Sequence, residues 1–338
     1  MKIAIGVLTV VLASTITVGI LGSPQSAAPS GPTPPAWAYP VNPPAPAGAR
    51  GGQPAAAAAP AADAPRTVPG SSVSLTLAQT RDLFNVPDWH PDNHPPAPDI
   101  VLHGRRPDVR ACGYCHLPNG QGRPENSSLA GLPASYIMQQ MADFKNGLRK
   151  SSEPRMGPPA AMVTLAKAAS DEDNRVAAEY FASFKMKPWI RVVETNTVPK
   201  SRVQASMWVA IEGGETEPIG QRIVEVPENL ERTELRDSAS GFVAYVPTGS
   251  VKKGEALVKT GGAGKTVQCG MCHGADLKGL GPVPGFAGRS PSYMVRQLFD
   301  MKNGARKGEW SALMKAALAN LTDEDFVSIA AYAASLAP

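Results

Sequence analysis

The chain has 338 residues, 34 of them Pro and 32 Gly, with 33 Lys and Arg against 29 Asp and Glu for a formal charge of +4. A balance so mild, with no basic run and no aromatic platform, excludes the electrostatic footprint of a nucleic-acid-binding protein. The length allows two or three small domains, and all four cysteines fall in two pentapeptides, leaving none for a structural disulfide.

Residues 1–22 begin Met1-Lys2 and continue as an uncharged apolar run from Ile3 to Leu21, which fits an export signal or a membrane helix. Both readings stay open. The run is long for a signal, the small-residue site Ser26-Ala27-Ala28 is followed by Pro29, and Ala36-Trp37-Ala38 lies far from the apolar run. Residues 23–70 are dominated by Ala, Pro, Gly and Ser, too poor in large apolar groups to offset the entropy of ordering. A disordered, partly polyproline-like tether is expected, reaching on the order of 150 Å if stretched.

Residues 71–187 form the first expected domain with its N-terminal extension. His90, His94 and His103 lie before the first haem motif, in a region interrupted by Pro95, Pro96, Pro98 and Pro107, where an N-terminal helix should be short or absent. These histidines read as ordinary loop residues, with replacement of a methionine at iron, or assistance in peroxide chemistry, as the alternative. Cys112-Gly113-Tyr114-Cys115-His116 follows and fits CxxCH. In that pattern two thiols add to haem vinyl groups and the adjacent histidine becomes an axial ligand, so all three must share one turn. A zinc site or a redox dithiol leaves the histidine after each cysteine pair unexplained. A helix is expected over Ser135 to Asn146 with Gly147 at its C-cap, and another after the N-cap Ser170 and its acidic first turn, with Val176, Tyr180, Phe181 and Phe184 on one face.

Residues 188–250 change pattern. Ile190 to Glu194, Gln221 to Val226 and Gly241 to Val246 are short β-branched or aromatic runs bounded by Pro and Gly, expected as strands or extended arms. The segment is either a strap that spaces the two halves or a docking surface for an enzyme. Residues 251–338 form the second expected domain: a helix over Lys253 to Lys259, the second motif Cys269-Gly270-Met271-Cys272-His273, a helix over Ser292 to Asn303 ending at Gly304, and a terminal helix after Thr322.

At an offset of 157 residues the two motifs coincide, as do Tyr136 and Tyr293, Gln140 and Gln297, Asp143 and Asp300, and Arg149-Lys150 and Arg306-Lys307. After five extra residues in the first copy the offset becomes 152, which aligns Met162 with Met314 and Tyr180 with Tyr332. Two homologous haem domains follow. An iron in haem c takes a second axial ligand unless it is catalytic, and a methionine thioether raises its potential. Met314, before the terminal helix, and Met162 are the candidates opposite His273 and His116, with Met156, inside the extra residues, as the competitor at the first iron.

This order of motifs resembles the class I cytochrome c domain, and two in tandem resemble the dihaem cytochrome c4 group, over about Val109 to Phe184 and Val251 to Leu336. The resemblance implies a mostly α chain, two tandem class I cytochrome c helical domains joined here by an extended, partly β-like segment, with two covalently bound haem c groups and His/Met irons. The departure is the joining segment, short in that group. The function expected is single-electron carriage between periplasmic or membrane redox partners, a dehydrogenase donor and an oxidase or cytochrome acceptor, without substrate chemistry and with possible membrane attachment through Ile3 to Leu21. The rivals are an electron-transfer subunit of a periplasmic dehydrogenase and a dihaem peroxidase; the methionine repeated in both halves argues against the peroxidase.

Overall fold

Ser170 and Thr322 each open a helix through a reciprocal capping box. In the computed structural model, which describes residues 32–44 and 64–338, Ser170 Oγ accepts from the Asp173 N–H at 3.1 Å and Thr322 Oγ1 from the Asp325 N–H at 3.2 Å. Each aspartate returns the bond to the cap backbone at 2.9 Å, which satisfies helix N–H groups that have no carbonyl partner. The C-terminal signals also hold: Gly147 and Gly304, two residues beyond their helices, take the left-handed conformation with φ of 69° and 77°.

The first repeat consists of α1 (Asp99–Leu102), α2 (Cys112–His116), α3 (Ala134–Lys145), α4 (Gly157–Ala168) and α5 (Asp171–Ala182). The prolines before it limit α1 to a single turn. Ile100, Val101, Val109, Leu132, Ile137, Ala178, Tyr180 and Phe181 close its core.

The chain then leaves the helical pattern for β1 (Ile190–Thr195), β2 (Thr197–Pro199), β3 (Ser201–Gln204), β4 (Met207–Ala210), β5 (Thr216–Pro218), β6 (Val224–Pro227), α6 (Leu230–Glu234) and β7 (Phe242–Pro247). β7 lies between β1, to which it is parallel, and β6, to which it is antiparallel; Val192 pairs with Ala244 and Val226 with Val243. β2 pairs with β5 and β3 with β4 as separate antiparallel ribbons. The β-branched runs thus form one small sheet, with the β6 strand starting three residues later than its sequence run.

The second repeat follows as α7 (Ser250–Thr260), α8 (Gly270–His273), the short hairpin β8 (Gly279–Leu280) and β9 (Val283–Pro284), α9 (Pro291–Lys302), α10 (Ser311–Leu318) and α11 (Asp323–Ser335). α7 crosses α11 at Gly254, where an added Cβ would stand 1.9 Å from the Ser328 carbonyl oxygen. Only glycine permits that approach.

The core of the second repeat takes in more than its own helices. Alongside Leu257, Val295, Phe299, Leu321 and Phe326 it includes Met156 from the first repeat, Ile223 and Val246 from the β segment, and Ala38 and Tyr39. The last two correct the expectation of a disordered tether at 32–44; its residues 23–31 and 45–63 lie outside the described residues. Ala38 is fully buried and Tyr39 2% exposed. Tyr39 donates its hydroxyl to Asp300 Oδ1 at 2.7 Å, Trp208 Nε1 donates to the Trp37 carbonyl at 2.7 Å, and Asn42 exchanges two hydrogen bonds with Ser206. Two aromatic side chains in an otherwise Ala/Pro-rich stretch supply the apolar area that the average composition hides. Further on, Val68 is also buried. The run Ile3 to Leu21 lies outside the described residues; among those described, no helix is long and apolar enough to cross a membrane.

Although burial pushes the Asp325 carboxyl up, the Lys265 ammonium and the Thr322 cap draw it down to about 2. A folded value below the ordinary 3.8 gives stability that is present above pH 4 and lost as pH falls toward 2. Asp325→Asn is expected to cost about 1 kcal/mol at neutral pH and to flatten the acid limb of a melting-temperature profile between about pH 4 and 2.

Candidate functional site

The first motif occupies the single turn α2, so Cys112, Cys115 and His116 are held together by one backbone segment. His116 Nδ1 lies 2.8 Å from the Ser127 carbonyl oxygen, and His273 Nδ1 lies 2.7 Å from the Pro284 carbonyl. A carbonyl can only accept, so each Nδ1 carries the proton and each Nε2 keeps its lone pair free to ligate. Burial lowers both imidazoles and so favours the neutral, ligating form. It also pushes the Cys112 thiol up to about 12 and the Cys269 thiol to about 11, which disfavours the thiolate form. Among the described residues no three His, Cys, Asp or Glu side chains converge as a metal-ion cage.

Cys112, Cys115 and His116 line a largely apolar cavity together with Ile137, Met141, Phe144, Met162, Leu165 and Phe181. Phe181 meets the His116 ring edge-on at 6.3 Å. Met162, on α4, is half-buried on this wall. Met156 is elsewhere: 1% exposed, it packs into the core of the second repeat. The five extra residues therefore carry their methionine across to the other repeat. In the second repeat Phe286 stands edge-on to His273 at 4.8 Å, while Cys269 and half-buried Met314, on α10, pack against one core.

The three early histidines lie off the cavity. His90 Nε2 is 2.9 Å from the buried Asp237 carboxylate, His94 Nε2 is 3.1 Å from Asp88, and His103 is exposed.

Residues with no role assigned from sequence complete the site. The cavity is also lined by Arg149 and, from α9 of the other repeat, by Tyr293, Arg296, Gln297 and Asp300. Arg149 donates to Gln140 Oε1 at 3.0 Å within its own repeat, and to the Tyr293 hydroxyl at 2.7 Å and Gln297 Oε1 at 3.0 Å in the other. Arg306 mirrors it, donating to Gln297 Oε1 at 3.2 Å, the Tyr136 hydroxyl at 2.8 Å and Gln140 Oε1 at 2.9 Å. The backbone joins in, since the Lys150 N–H donates to the Ala305 carbonyl and the Lys307 N–H to the Leu148 carbonyl. Both guanidinium groups are 8% exposed and take neutral acceptors, and Arg306 Nε has none. Buried cations without carboxylate partners beside an apolar cavity fit a ligand that is flat, apolar and acidic at one edge, as haem is. The sequence signal was present: these six residues form three pairs that match at the 157 offset although all three are polar.

No protein-family model matches the chain. It is 40% identical over 75 residues to cytochrome c-554(548) of Halomonas halodenitrificans, covering 22% of this chain and 90% of that protein. It is 43% identical over 77 residues to a cytochrome c4 of Pseudomonas aeruginosa, covering 22% and 36%. A longer match, 25% over 234 residues, covers 68% of this chain and 80% of the thiosulfate dehydrogenase electron acceptor of Thiomonas intermedia.

Met156→Ala is expected to cost about 2–5 kcal/mol in unfolding free energy, since it empties a fully packed position. A separate pH effect resides in His94. Its hydrogen bond to Asp88 raises it above the ordinary 6.5 against the opposing effect of burial. That stability is fully present below pH 6.5 and lost as pH rises through the folded value, so His94→Asn should remove this part of a denaturation profile taken from pH 5 to 9.

Proposed function

Because the chain belongs to the dihaem class I c-type cytochromes, with two covalently bound haem c groups that transfer single electrons, we propose that it is a periplasmic electron carrier fed by a dehydrogenase. The observation that carries this reading is the repeated site: each CxxCH turn has its histidine Nδ1 fixed on a backbone carbonyl and a methionine-bearing helix in the same repeat. When bound, haem c supplies a one-electron iron couple.

The chain's own residues do the rest. Cys112 and Cys115, and Cys269 and Cys272, are the covalent attachment points. His116 and His273 would hold the iron through Nε2. Met162 and Met314 would supply the second, thioether ligand, and Met162 is preferred to Met156 because it lies on the cavity wall that holds His116. A histidine and a methionine at each iron would leave no open coordination site for peroxide, which argues for a carrier over a peroxidase. Arg149, lining the cavity without a carboxylate partner, is suited to the acidic edge of the group, and Phe181, Ile137 and Phe144 exclude water from its faces. Covalent attachment at CxxCH is completed outside the cytoplasmic membrane, which supports a periplasmic location.

The similarity to the thiosulfate dehydrogenase electron acceptor of Thiomonas intermedia supports a dehydrogenase donor. A further reading, a permanent subunit of such an enzyme, is favoured by the β segment, and co-purification of an enzyme subunit would support it.

A spectroelectrochemical titration of the purified full-length protein should give two low-spin, methionine-ligated waves. Met162→Ala is expected to remove about half of the methionine–iron charge-transfer absorbance and to lower one potential, whereas Met156→Ala should leave both unchanged. A high-spin haem in the unaltered protein would overturn the carrier reading.

A further inference from the structure

We propose that residues 229–240 are a built-in shield over the first CxxCH motif, and that a redox partner with an acidic surface reaches the protein through the second motif alone. The inference rests on the carrier reading above.

The two motifs are homologous but not equally covered. Arg236 lays its guanidinium 3.5 Å over the Tyr114 ring and donates to the Tyr114 carbonyl at 2.6 Å. Asn119 donates to the Ser238 carbonyl and Gln121 to the Ser240 carbonyl, each at 2.9 Å. Arg123 reaches the Thr233 carbonyl at 3.4 Å. As a result Gln121 and Arg123 are each 8% exposed. At the 157 offset the counterparts of Tyr114, Gln121 and Arg123 are Met271, Lys278 and Leu280. Met271 is 69% and Leu280 59% exposed, and Lys278 is also exposed.

The shield is pinned from behind. Trp89 Nε1 donates to the Leu235 carbonyl at 2.7 Å, and the Asp237 carboxylate receives both His90 and Arg232. It is therefore a packed element of the fold, anchored by the N-terminal extension, and it contacts the turn that carries the thiols at Tyr114 and the segment just after it at Asn119, Gln121 and Arg123.

Charge on the open face sets the partner. On the shield and its approach Glu228 and Glu231 are paired with Arg191 and Arg66. Over residues 261–318 the exposed charges are Lys265, Lys278, Lys307 and Lys315 against Asp276 and Glu309. An acidic partner is thus attracted at the open motif, while at the first motif the shield itself keeps it away.

The test uses the full-length reduced holoprotein and hexacyanoferrate(III), a compact polyanion, in stopped flow; one electron passes from the protein to each hexacyanoferrate(III), giving hexacyanoferrate(II). With one port, both haems discharge through the second motif. Lys278→Glu with Lys315→Glu is then expected to slow the whole absorbance change by about threefold or more at low ionic strength, with the difference vanishing at high salt. If half of the absorbance change keeps its original rate, the first motif has its own port and the proposal is overturned. An unchanged rate for the whole signal overturns it as well. Arg236→Ala offers a second measurement, expected to add a fast phase insensitive to the lysine changes. Failure of the carrier reading shows separately, as the absence of two reversible one-electron waves before any oxidant is added.

Discussion

Two buried guanidinium groups that each reach across to the other repeat hold this molecule in its working arrangement. Arg149 and Arg306 donate to the same pair of glutamines and to each other's tyrosine, and their flanking backbones pair through the Lys150 and Lys307 N–H groups. Burying a cation is costly unless its hydrogens are satisfied. Here partners are shared across the interface, so neither arginine has its full set of acceptors unless both repeats are in place. The same geometry brings α9 of the second repeat onto the cavity of the first. Cofactor site and domain interface are therefore one structure.

Around that symmetric centre the remaining segments are asymmetric. Tyr39 fills a position next to Asp300 that has no equivalent beside Asp143, where instead the chain passes closely at Gly308. Glu225 on β6 accepts from the Ser290 hydroxyl and the Ser292 hydroxyl and N–H, tying the sheet to the start of α9. Burial holds that carboxyl above its ordinary range, the serine hydrogen bonds opposing it. Duplication supplied two equal sites, and the added segments made their surroundings unequal.

How far these features could be read in the chain depended on their range. CxxCH, the capping boxes at Ser170 and Thr322, and the glycines at 147 and 304 all act within one turn, so a local stretch of sequence contains the whole interaction. The same holds for the β-branched runs at Ile190 and Phe242, whose strand character is local even though their pairing is not. Tyr39 shows the opposite case. Its burial depends on residues some 260 positions away, and the proline-rich context around it signals only disorder.

The sequence by itself determined the cofactor chemistry, the duplication and the helices, because thiols, histidine, caps and apolar periodicity are set by neighbours along the chain. Tertiary structure alone decided which methionine faces the cavity and which enters the other repeat's core, and that Gln140, Gln297 and the two arginines act across the interface. It also decided that residues 229–240 lie over one motif and leave its twin open. Each of these outcomes turns on which distant surfaces meet, and the free energy of burying a charge or an aromatic ring is fixed only once the covering element has arrived.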